Sequence, residues 1–169
     1  MTAVPVLVVS GTVGSGKTSV GRAASLLLAE RRVPHALVDL DWLETYWSPV
    51  ADDAEAVLHR NLAAVWSTYR AAGCERLICC RVVEHPSVVD RLVAAVPGAA
   101  PTIVWLDASP SITEPRIRAR EPGDPTWFLD ATVAIHQRVD PAAITPHVLP
   151  VAGRTPTELA HDALLAGGW

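Results

Sequence analysis

The chain has 169 residues and a mass of 18.0 kDa, the size of a single domain that buries about two-thirds of its unfolded surface. Half of the residues are hydrophobic and 19% are charged, which excludes intrinsic disorder, and no apolar run approaches the ~20 residues that span a bilayer. A net charge of -4 and a pI near 5.8 exclude the dense field of cations on which non-specific nucleic-acid binding depends.

Val4–Val9 predicts a strand, continuously apolar as in a parallel sheet buried on both faces. No basic segment precedes it, which argues against a signal peptide. Next comes Gly11-Thr-Val-Gly-Ser-Gly-Lys-Thr18, a complete match to G-x-x-x-x-G-K-[ST] between a strand and a helix. The glycines let successive N–H groups turn inward on phosphate oxygens, and the following helix adds its positive end. Gly11, Thr12, Val13, Gly14, Ser15, Gly16, Lys17, Thr18 and the adjoining Ser19 are therefore the expected nucleotide-binding residues. Lys17 reaches the β- and γ-phosphates, and the Thr18 hydroxyl is placed to ligate Mg²⁺. Lysine occurs once in the chain, inside this motif; the other basic residues are arginines, as a GC-rich genome would favour.

A helix is expected over Thr18–Arg31, with Val20, Ala24, Leu27 and Leu28 on its apolar face, stopped at Val33-Pro34. His35–Leu40 predicts a second strand, with Asp39 and Asp41 at its carboxyl end, where ligands bind in parallel sheets. Strand alternation places the two carboxylates on one side, one to orient a hydroxyl nucleophile and the other to hold Mg²⁺. Capping or plain solvation is the alternative for each. A loop over Trp42–Ala51 leads to a helix over Asp53–Ala72, striped by Val57, Leu58, Leu62, Val65 and Trp66 and ended at Gly73.

Arg76–Val83 predicts a third strand, Pro86–Val96 a third helix and Thr102–Leu106 a fourth strand. Cys79 and Cys80, adjacent in the third strand, read as core thiols of a reducing compartment. Two helical pieces between Ser111 and Val139 are separated at Glu121-Pro-Gly-Asp-Pro125. Arg116 and Arg120, four residues apart, share a face there, and Arg118 points elsewhere. Two guanidinium groups beside a Pro/Gly break suit a lid that closes over phosphates; a solvated arginine face is the alternative. His147–Val151 predicts the last strand, and Thr155-Pro-Thr-Glu158 is a capping box for a helix to Ala166. This alternation predicts βαβ units and one three-layer α/β domain over residues 1–169, with its lid at about 113–139.

A phosphate loop followed by a D-x-D-x-L strand end resembles the P-loop small-molecule kinases, a group that includes adenylylsulfate, gluconate and shikimate kinases and chloramphenicol phosphotransferase. The resemblance implies a nucleotide-kinase fold with a five-stranded parallel sheet in the order 2-3-1-4-5 and a short lid. It also implies transfer of the γ-phosphoryl group of ATP–Mg²⁺ to a hydroxyl of a small molecule in the cytoplasm. Asp41 matches the carboxylate that engages the acceptor hydroxyl, and the loop carrying Arg154 matches the one lining adenine. The chain departs from the pattern where the third strand ends Cys79-Cys-Arg-Val-Val-Glu-His85 without a Walker-B aspartate, which leaves a second protein ligand for the metal open.

Trp42, Arg60, Arg81 and Glu84 are the candidates to contact the acceptor with Asp39 and Asp41, beside Tyr46, Trp47, His59, Asn61, His85, Trp127 and Phe128. The expected catalytic set is Lys17, Asp41, Arg116 and Arg120. A nucleotide-dependent binding module or slow NTPase, and a nucleic-acid end kinase, are the alternatives. The acidic pI argues against the latter, so neither a nucleic-acid nor a membrane partner is expected. The sequence leaves the oligomeric state open.

Overall fold

The computed structural model describes residues 3–48, 53–121 and 123–169. Its strands are β1 (Val4–Gly11), β2 (His35–Asp39), β3 (Arg76–Cys80), β4 (Ala99–Asp107) and β5 (Val148–Pro150). Its helices are α1 (Lys17–Glu30), α2 (Ala54–Ala71), α3 (Pro86–Ala95), α4 (Pro110–Arg120), α5 (Thr126–Arg138), α6 (Pro141–Ile144) and α7 (Pro156–Ala166). The sheet is parallel throughout and ordered β2-β3-β1-β4-β5, as the resemblance implies. No described helix is long and apolar enough to cross a membrane.

Strand alternation divides the core between the two faces. Val4, Val6 and Val8 of β1 pack with Leu58, Leu62 and Trp66 of α2, whereas Leu7 and Val9 pack with α1 and α7. Trp66 and Trp105 are buried core residues, as are Cys79 and Cys80. Burial pushes the Cys80 thiol up to about 12 and the Cys79 thiol higher still, so both stay protonated near neutrality.

Several boundaries differ from expectation. β3 ends at Cys80 rather than Val83 because the chain leaves the sheet there. The Arg81 N–H still reaches the Val9 carbonyl, and the Val83 N–H donates to Ser10 Oγ at 2.9 Å. β4 begins at Ala99, three residues early, and tolerates Pro101 because β5 pairs only with residues 105–107, leaving one side of Pro101 without a ladder. α6 was not expected; it is one turn started by Asp140, whose carboxylate accepts from the Ala142 N–H.

The expected loop over Trp42–Ala51 begins instead inside a 3-10 turn, Leu40–Leu43, and its end, residues 49–51, lies outside the described residues, as does Pro122 of the predicted break. Strand alternation therefore stops at Asp39 and does not extend to Asp41. Asn61 of α2 ties down the turn, its amide donating to the Leu43 carbonyl at 2.7 Å.

Gly21 sets how closely α1 lies on the sheet. A Cβ there would stand 2.5 Å from Cys80 Sγ and 3.2 Å from Leu37 Cδ1, and that thiol also donates to the Lys17 carbonyl at 3.4 Å. Gly21→Val is expected to cost about 1–3 kcal/mol by overpacking, read as a lower denaturant midpoint at unchanged slope. An unchanged midpoint would show that α1 shifts freely.

Candidate active site

The loop after β1 turns on two left-handed glycines, Gly14 at φ 77° and Gly16 at φ 102°, where a side chain brings strain. At Gly14 a Cβ would also stand 3.0 Å from the Thr113 carbonyl, so α4 packs directly on the loop. Gly16 is the N-cap of α1, which brings the unpaired N–H groups of the first helical turn to this end of the sheet.

Lys17 is only 9% exposed, and its Nζ donates to the carbonyls of Gly11 at 3.2 Å and Thr12 at 3.0 Å. Burial lowers its pKa, and the carboxylate of Asp41 is the strongest charge opposing that shift. Thr18 Oγ1 donates to Asp39 Oδ2 at 2.7 Å. The other oxygen of Asp39 accepts the Asp41 N–H at 3.3 Å and caps the 3-10 turn. Asp41 stands in that turn, 3.8 Å from Arg81 Nη1, on the cleft surface with a half-exposed side chain. The surrounding walls still strip it of enough water to raise its pKa, against the pull of Lys17.

One open cleft of about 1280 Å³ runs across this end of the sheet, larger than the roughly 300–1,000 Å³ typical of a single small-ligand pocket. It gathers Val13 through Ser19 with Asp39, Asp41, Trp42, Arg81 and Glu84, and from the other side Arg116, Arg120 and Arg154. Gly11 and Thr12 are buried and do not line it. Arg116 Nη1 donates to the carbonyls of Gly14 and Ser15, both at 3.3 Å. Arg120 Nε pairs with Glu121 at 2.8 Å, and its guanidinium lies 5.4 Å from the Phe128 ring. Arg118 is outside the cleft lining, as the four-residue spacing predicts. Arg154, at the far end, is anchored through Nη2 to Asp162 at 2.6 Å.

Some candidates are not brought in. Arg60 is exposed on α2 and lies outside the cleft lining, as does Trp47. His59 instead lines a small void with Arg81, and His85 caps α3. Conversely, Glu44 lines the cleft and was not anticipated. In a 3-10 turn residues three apart eclipse, so Asp41 would have pointed to Glu44 had Leu40–Leu43 been recognised as one.

The donor set fits a magnesium nucleotide. Thr18 Oγ1 and Asp39 Oδ2 are hard oxygen donors meeting in the cleft, and Mg²⁺ is commonly held by one or two protein oxygens with phosphates and water completing its shell. The buried Ser15 hydroxyl in the loop has no partner within the protein. Asp39 lies beside Cys80 in the parallel register. A carboxylate from β2 thus stands next to the place where β3 carries sulfur in lieu of the absent Walker-B aspartate.

No protein-family model matches the chain, and no curated protein matches it by sequence. Solved structures do. A gluconokinase from Sinorhizobium meliloti 1021 superposes with a TM-score of 0.63 at 25% identity, over 98% of this chain and 93% of that one. A sugar kinase from Janibacter sp. HTCC2649 gives 0.64 at 22% identity, over 98% and 94%. The APS kinase of Mycobacterium tuberculosis, solved with AMPPNP and APS, gives 0.65 at 18% identity over the full length of both chains. The fold is that of the P-loop small-molecule kinases.

Proposed function

We propose that the protein is an ATP-dependent small-molecule kinase that transfers the γ-phosphoryl group of ATP–Mg²⁺ to a hydroxyl. One observation carries the reading: Lys17 of the phosphate loop and Asp41 of the 3-10 turn share one cleft and are each other's leading opposite charge. The neighbours' identity as kinases, one of them solved with an ATP analogue, supports the same reading.

In this reaction the acceptor hydroxyl gives its proton to the Asp41 carboxylate as its oxygen bonds to the γ-phosphorus, and the bond to the β,γ-bridging oxygen breaks, releasing ADP. Lys17 and Arg116 neutralise charge on the transferring group, joined by Arg120 as α4 and α5 close as a lid. Thr18 and Asp39 would hold Mg²⁺, which would supply Lewis-acid neutralisation of the phosphates. Arg154 offers its planar face to the base. The raised pKa of Asp41 suits a proton acceptor, and burial of the Lys17 ammonium at the phosphate loop, which lowers its pKa, fits a cation held for an anionic ligand.

Incubating a metabolite pool with γ-labelled ATP should move label onto a small molecule with the native protein but not with Lys17→Ala. ATP hydrolysis with no labelled acceptor would favour the slow NTPase or binding module.

A further inference from the structure

The cations lining the cleft differ in what the protein itself offers them. Lys17 and Arg116, at the phosphate loop, bond to backbone carbonyls, and neither forms an ion pair within 4 Å among the described residues. Arg120 and Arg154 each pair with one carboxylate through a single bond, to Glu121 and Asp162, whereas the cation beside Asp41 is held through two. Arg81 is gripped by Glu44 through two bonds, Nη1 to Oε1 at 2.8 Å and Nη2 to Oε2 at 3.3 Å, with Asp41 a further 3.8 Å away. Its side chain is 18% exposed and that of Glu44 29%, so the pair is shielded from water. A bidentate fork of this kind occupies the face of a guanidinium that would otherwise take a carboxylate, sulfate or phosphate. Glu84, on the same rim, takes Arg138 at 2.7 Å. Trp42 on the turn and Trp127 on α5 both line the cleft while 75% and 70% exposed, offering flat apolar surfaces.

We infer that the acceptor is a hydroxyl-bearing ring compound with no anionic group, and that Glu44 is the residue that enforces this by occupying Arg81. The inference rests on the kinase reading. An anionic acceptor would meet Asp41, and it would have to break the Arg81–Glu44 fork; a neutral ring would lie against an indole with its hydroxyl toward Asp41.

Calorimetry with sodium gluconate and methyl glucoside, on protein saturated with AMPPNP–Mg²⁺ and again without nucleotide, tests it. The native protein should give no gluconate heat at millimolar concentration. Glu44→Gln, which frees Arg81 at nearly constant shape, should give a clear gluconate heat, with an affinity at least ten-fold above the native detection limit, and Glu44→Gln/Arg81→Gln should lose that gain. Methyl glucoside should not discriminate between native protein and Glu44→Gln. Gluconate binding by the native protein, whether or not Arg81→Gln abolishes it, overturns the inference, as does a Glu44→Gln protein that gains no affinity for gluconate. The kinase reading fails separately, if AMPPNP–Mg²⁺ itself gives no heat.

Discussion

Replacing Lys17 with methionine is expected to lower phosphoryl transfer by about 10³-fold, the scale on which a preorganised charge at a transition state is lost, while leaving the melting temperature equal or higher. The two halves of this prediction have one cause. Lys17 is buried with its ammonium on two carbonyl oxygens, and burial lowers its pKa. A base whose folded pKa lies below its unfolded value binds protons less well when folded, so keeping it charged at neutral pH works against folding. Methionine fills a similar volume without that charge. Steady-state turnover and a thermal melt check both halves. A variant that melts several degrees lower would mean that Lys17 is a structural tie rather than a cation held for phosphate.

Asp41→Asn is expected to reduce kcat by about 10²–10⁴-fold, the range for a positioned general base, with little change in nucleotide affinity. The pH profile gives the sharper result. Burial raises the pKa of Asp41, and a base works only when ionised. Turnover should therefore be present above that pKa and fall away as the pH drops through it, at a higher pH than an ordinary carboxylate would give. In Asp41→Asn this acid limb should disappear along with the rate. Retention of full turnover by the variant would remove Asp41 from the chemistry. Because Lys17 and Asp41 each support the other's charge, the double variant should lose less than the two single effects combined.

The sheet was legible in the sequence because its evidence is local. Val4–Val9 is apolar without alternation, Gly11–Thr18 carries a spacing that only a phosphate loop needs, and Thr155–Glu158 is a capping box, formed with both of its hydrogen bonds. The cleft's cations were legible where spacing settles a face, as for Arg116 and Arg120. What escaped depended on contacts made far along the chain. The 3-10 turn after β2 is fixed by Asp39 capping it and by Asn61 bonding it from α2, and no local pattern announces a partner 18 residues away. Glu44 escaped with it. Arg60 seemed a neighbour of the acceptor by charge and position in α2, yet it lies outside the cleft, since helical periodicity fixes a residue's face only once the packed face is known.

Asp39 spends its two oxygens in different directions, one on the Thr18 hydroxyl and one on the amide of Asp41. The seat proposed for the cation and the residue proposed as proton acceptor are thereby joined by a single carboxylate. Neither of those two bonds involves the side chains of Trp42, Glu44 or Arg81, although Arg81 stands 3.8 Å from the Asp41 carboxylate. On the kinase reading, substitutions around Glu44 and Trp42 are therefore expected to change which alcohol is accepted before they change how phosphate and hydroxyl are brought into line.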